Sequence, residues 1–153
     1  MLTDSPYRRL LHHLHRAALL NERLADRELT GAIGVGRTQF LVLRTVHEAP
    51  ELAASQQMLA NHLGLTKAAV SRHIISAELQ GWLTTNTEHS RREHSLALTT
   101  TGRSLIARGR VVQDAAERRA IQALSAQRLD VTAATLSELS AMLERRLASP
   151  PAR

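Results

Sequence analysis

Residues 56–78 read QQMLANHLGLTKAAVSRHIISAE, and their spacing lays out two short helices that cross at a tight turn. Leu59, Leu63, Leu65, Val70 and Ile74 form the apolar set, and Ala60 stands where a larger side chain would collide with the second helix. Gly64 falls at the turn, where a residue without Cβ takes the left-handed conformation at no steric cost. Thr66 follows in position to cap the next helix by accepting a bond from a free backbone N–H. Behind that cap, Lys67, Ala68, Ser71, Arg72 and Ile75 occupy the face turned away from the first helix. In a helix-turn-helix this face enters the major groove of duplex DNA, with its N-terminal residues nearest the base edges. An ordinary helical hairpin in an all-helical core shares the Leu and Ala spacing, but it does not require turn, cap and small residue to agree with one another.

Composition narrows the partner. The chain has 153 residues, which suits one domain, or one compact domain with extra helices for pairing, and excludes a large multidomain enzyme. Its formal charge is +6, which favours a polyanion through phosphate neutralisation and counterion release. One Trp, one Tyr and one Phe are too few for single-strand binding by base stacking, so duplex DNA is the better polyanion. The excess charge is uneven, because residues 101–153 are rich in Arg while the reading head is nearly balanced. Arg103, Arg108 and Arg110 are candidates for phosphate contact, or else solvated positions on a helix. The absence of cysteine removes disulfides, thiolate metal sites and thiol-based sensing. No apolar run approaches a membrane span, and Arg and His interrupt the N-terminal MLTDSPYRRLLHHLHRAALL where a signal peptide would be apolar; a cytoplasmic location is expected.

Outward from the reading head, the chain is mostly helical. Ser5-Pro6 predicts a cap and a first helical residue, opening a helix through Leu10, Leu14, Ala17, Ala18 and Leu24 to about Leu29, which GAIGVG at residues 31–36 ends. A second helix from about Thr38 to His47 carries Phe40, Leu43 and Val46, and Pro50 follows it. Ser55 caps the first helix of the reading pair. After Gly81 the period becomes alternating: Trp82–Thr85 and Ser95–Thr99 flank a polar stretch, which predicts a β-hairpin. A hairpin directly after a recognition helix is a wing, and Arg91 and Arg92 near its tip are placed to meet the backbone or the neighbouring minor groove. A long helix from Thr100 to about Ala123 follows. Ser125 is expected to cap a last one, striped with Leu129, Leu136, Leu139, Leu143 and Leu147.

In this order of elements the chain resembles the MarR family of winged-helix transcriptional regulators. The residues that carry the resemblance are Gln39-Phe40 with Val42-Leu43, Leu59-Ala60 with Leu63-Gly64, Ser71-Arg72, Gly81-Trp82-Leu83, and Leu98-Thr99 followed by Gly102. The fold implied is mainly α with a small β-hairpin wing, a winged helix-turn-helix with N- and C-terminal dimerisation helices. The division expected is 1–34 for the N-terminal dimerisation helix, 35–100 for the DNA-binding domain and 101–153 for the C-terminal dimerisation helices. The resemblance places the wing arginine at Arg92. Members usually carry an Asp two residues earlier to hold it, and here that position is Ser90, with Glu88 or Glu93 as the available substitutes.

The resemblance also implies a homodimer with intertwined terminal helices. The residues give their own reason, since Leu10, Leu14, Ile121, Leu136, Leu139 and Leu143 are more apolar surface than a small winged core can cover. A twofold dimer presents two recognition helices, so the expected target is a near-palindrome with half-sites ~34–36 Å apart. The family implies a small effector between dimerisation helices and winged domain, for which His15, Arg16, Phe40 and Arg44 are the candidate contacts. The function expected is therefore a sequence-specific regulator of transcription, a repressor released by a small molecule. The alternative is a metal- or haem-responsive regulator, because His12, His13 and His15 cluster on one helix and His89 and His94 lie in the wing; no carboxylate accompanies them at helical spacing. An enzyme is not expected, since no phosphate loop, nucleophile elbow or metalloprotease motif is present, and no cofactor is called for.

Overall fold

A computed structural model describes residues 5–86 and 95–149. Its elements are α1 (Pro6–Ile33), α2 (Arg37–Glu48), α3 (Pro50–Ala53), α4 (Gln56–Leu63), α5 (Lys67–Leu79), β1 (Leu83–Asn86), β2 (Ser95–Leu98), α6 (Thr100–Leu124) and α7 (Ala126–Ala148). The fold is mainly α with one antiparallel pair of strands, as the periodicities predict. Leu83 pairs with Leu98, Thr84 with Ala97 and Thr85 with Leu96. This register turns Leu83 and Leu98 together onto the core, and both are buried. Among the described residues no helix is long and apolar enough to cross a membrane.

The chain forms two compact units, Met1–Gln113 and Asp114–Arg153. The first holds the core, whose largest fully buried side chains are Phe40, Leu29, Leu43, Leu59, Ile106, Val42 and Val70. Phe40 lies against α6 at Gly109, where a Cβ would stand 2.0 Å from Cε2 of the ring. At Gly102 a Cβ would stand 2.0 Å from the carbonyl oxygen of Trp82. These two positions, seven residues apart on one side of α6, are therefore places where ring and backbone press directly on a helix surface. Within the second unit, α7 has no buried residue at all along its length.

Three details depart from the sequence reading. Helix α1 does not stop near Leu29 but continues through Gly31 to Ile33, ending where Gly34 turns left-handed at φ 72° and its N–H bonds Thr30. A glycine inside a helix costs only ~1 kcal/mol, and burial of Leu29 and Ile33 offsets it. Pro50 does more than follow α2: it opens the short α3, since proline lacks only an N–H that the first turn would leave unpaired anyway. Ser5 and Ser125 stand at N-cap positions, but neither hydroxyl caps its helix; Ser125 makes the turn with φ 62° instead.

Candidate nucleic-acid interface

The reading pair is built as its residue types dictate. Ser55 Oγ accepts from the N–H of Gln57 at 3.2 Å and starts α4. Gly64 adopts φ 65°, and Leu65 N–H closes the turn on the carbonyl of Ala60 at 2.9 Å. Thr66 Oγ1 accepts from Ala69 N–H at 3.1 Å, which caps α5. Leu59, Ala60, Val70, Ile74 and Ala77 are buried between the two helices and the core. Thr66, Lys67, Ala68, Arg72 and Ile75 are exposed and Ser71 is half-buried, so all six remain on the open side of α5.

What holds α5 in place from behind is a clasp reaching from α2. The Gln39 side chain of α2 donates from Nε2 to the carbonyl of His73 at 3.1 Å, and its Oε1 faces His73 Nδ1 at 2.9 Å. With the amide oxygen as acceptor, Nδ1 carries the proton. Burial, and then the neighbouring charge of Arg72, lower the pKa of His73 below its ordinary value of 6.5. The imidazole is thereby kept neutral while Arg72 beside it is turned to solvent. Gln39 and His73 are 34 residues apart, and no local pattern announces their pairing.

The root of the wing is tied to the first turn of α6. Thr99 Oγ1 donates to the carbonyl of Gly81 at 2.7 Å and accepts from the N–H of Gly102 at 3.0 Å, while Thr99 N–H bonds Trp82. Arg103 donates to the Leu98 carbonyl at 2.8 Å and to Thr100 Oγ1. These bonds account for Gly81-Trp82-Leu83 and Leu98-Thr99 with Gly102 as one knot. Thr85 Oγ1 of β1 donates to the carboxylate of Glu78, which joins the wing root to α5. Arg91 and Arg92, with His89, His94, Glu88, Ser90 and Glu93, lie outside the described residues.

The other arginines proposed for phosphate have partners within the fold. Arg103 is engaged at the wing root, Arg108 donates to the carbonyl of Ala32 at 3.2 Å, and Arg110 meets Glu48 at 2.7 Å. The four effector candidates differ in their settings. His15 and Arg16 are exposed on α1, and Arg44 of α2 reaches Gln113 at 3.2 Å and Glu48 at 3.6 Å. Phe40 is closed inside the core. A cleft of about 480 Å³ lies instead between α1, α2 and the α4 turn, lined by residues including Glu22, Asp26, Arg37 and Leu41. Asp26 there accepts from the N–H of Arg37 at 2.8 Å and caps α2 from a neighbouring helix. His12 and His13 lie edge to face on α1 with ring centres 5.3 Å apart, and among the described residues no group of three or more metal-binding side chains comes together.

The family model described as "MarR family" matches residues 33–93, the segment from the end of α1 through the reading pair into the wing. Over that segment the chain is similar to the MarR family. Solved structures agree along nearly its whole length. A MarR/EmrR family transcriptional regulator from Acinetobacter sp. ADP1 is 23% identical with a TM-score of 0.74, over 93% of this chain and 99% of that one. A MarR-family protein of Mycobacterium tuberculosis, solved with salicylic acid, is 25% identical with a TM-score of 0.71, over 91% and 99%. The S. aureus MepR–DNA complex is 17% identical with a TM-score of 0.70, over 91% and 96%. No curated protein matches the chain. Like these structures, the chain folds as a winged helix-turn-helix.

Proposed function

We propose that this chain is a regulator of the MarR family, a homodimeric, sequence-specific repressor that binds duplex DNA at a near-palindromic site. The observation that carries the reading is the open face of α5. Thr66, Lys67, Ala68, Ser71, Arg72 and Ile75 stand there on a helix capped at its start and clasped from behind by Gln39. Two structural relatives, the S. aureus protein above and the M. tuberculosis protein in a second structure, are solved in complex with DNA. Arg72 is assigned to a base edge, Lys67 and Thr66 to the adjoining phosphates, and Arg91 and Arg92 to the backbone beside the wing.

The dimer rests on α7, a 23-residue helix with Leu136, Leu139 and Leu143 on its surface and nothing buried. An isolated amphipathic helix of that length draws most of its stability from packing, so a partner surface is required. On this reading residues 1–34 and 101–153 serve pairing and 35–100 serves DNA. Repression would be relieved by a small acid, by analogy with the relative solved with salicylic acid. His15, Arg16 and Arg44 remain its accessible candidate contacts, and contact with Phe40 requires the core to open. Selection of random duplexes by the purified protein at physiological salt tests the whole reading. Enrichment of a palindrome is expected; uniform weak binding would overturn it.

A further inference from the structure

Helix α5 is apolar on both sides. Val70, Ile74 and Ala77 face the core, yet the opposite side is also largely hydrocarbon: Ile75 is 53% exposed and Leu79 82% exposed, with Ala68 beside them. At ~100° per residue, Ala68, Arg72, Ile75 and Leu79 fall within roughly 60° of one another, diametrically opposite the buried set. A solvated helix face has no use for such a stripe, and the capped turn that presents it leaves the face open. Two cations accompany it, Lys67 beside it at the first turn and Arg72 within the stripe itself. An apolar surface accompanied by cations fits one occupant well, the floor of a major groove in which a hydrocarbon group projects between phosphate-lined walls. Among the bases only thymine offers such a group there, its C5-methyl.

We propose that Ile75, assisted by Ala68, selects thymine by contact with that methyl, and so is a specificity-determining residue of the operator. The inference rests on the reading of α5 as a DNA-reading helix and deepens it. Arg72 and Ile75 are separated by ~4.5 Å along the helix axis, and successive base pairs by ~3.4 Å. The thymine therefore lies within one or two base pairs of the base that Arg72 reads, which is guanine if Arg72 bonds O6 and N7.

The test replaces each thymine of the selected site, one at a time, by deoxyuridine, which removes the methyl and leaves the pairing edge unchanged. Full-length protein is expected to lose roughly fourfold in affinity at one thymine of each half-site, the transfer value of one buried methyl group. The Ile75→Ala variant is expected to bind the thymine and deoxyuridine duplexes equally, while Ile75→Val retains part of the difference. Far-UV circular dichroism checks that both variants are folded, as an exposed position leads one to expect. Indifference of the wild type to deoxyuridine at every position would overturn the inference while leaving sequence-specific binding intact. Equal sensitivity in Ile75→Ala would also overturn it. So would dissociation of oligomers by that substitution in light scattering, since the stripe would then be a contact between copies of the chain. If no sequence is enriched in the first place, the DNA-reading proposal itself has failed, and that result arrives before any thymine is replaced.

Discussion

Arg72 is exposed on α5, a helix clasped from behind by Gln39, and is the residue proposed to bond a base edge. Arg72→Ala is expected to weaken binding to the selected site by about 1–3 kcal/mol and binding to unrelated duplex much less. Titrations on both duplexes check this, and an equal loss on each would make Arg72 a phosphate contact. His73 brings a pH dependence whose sign follows from its lowered pKa. Unfolded, the imidazole takes a proton near 6.5; folded, it resists. The stability it contributes is complete above that pH and is lost as pH falls from 6.5 through the folded value. The melting temperature of the wild type should therefore fall more steeply on acidification than that of His73→Asn, which can still donate to Gln39 but does not titrate. Two glycines of similar helical setting should behave oppositely. Gly109→Ala drives a Cβ into the Phe40 ring and should cost about 1–3 kcal/mol, whereas at Gly31 nothing lies within 4 Å and alanine should add about 0.5–1 kcal/mol. Thermal melts of the two variants, one below and one above wild type, are the expected result.

At the scale of elements, the wing is expected to contribute charge more than sequence choice. Arg92→Ala should reduce the slope of log K against log salt by ~1 and leave the preferred sequence unaltered. An unchanged slope over a salt series removes that arginine from the phosphate contacts. The helix pair was legible in residues 55–78 because its signals are local. A glycine, two hydroxyl caps and an apolar spacing each concern neighbours within one turn of helix, and each acts where it was expected. The strands were equally legible from a two-residue alternation. The end of α1 and the turn at Ser125 were not, because there tertiary burial and a strained backbone outweigh the local preferences of Gly31 and serine. The clasp of Gln39 on His73 and the bond from Arg108 to Ala32 join residues far apart in sequence, so spacing could not reveal them. For the same reason spacing alone leaves the arginines of α6 as open charge, although each has a partner in the fold.

At the scale of the whole molecule, Leu139→Glu places a carboxylate in the stripe of α7 and should shift the proposed dimer toward monomer, as light scattering would record. A variant that stays dimeric would move the subunit contact elsewhere. The grip on α6 bears on how such a molecule can respond to an effector. Between Gly102 and Arg110, over ~12 Å of helix axis, α6 is fastened in turn to the wing root, to the end of α1 and to α2. Trp82 and Phe40 press on it so closely that neither can slide past without losing its seat. A segment clamped at that many stations behaves as a keel, and the parts bolted to it cannot swivel independently. On the proposed reading, a signal that alters DNA affinity would carry the wing root, α2 and α5 together as one block. In the proposed dimer it would work by changing the gap between two such blocks, and the pitch of α5 within each would stay the same.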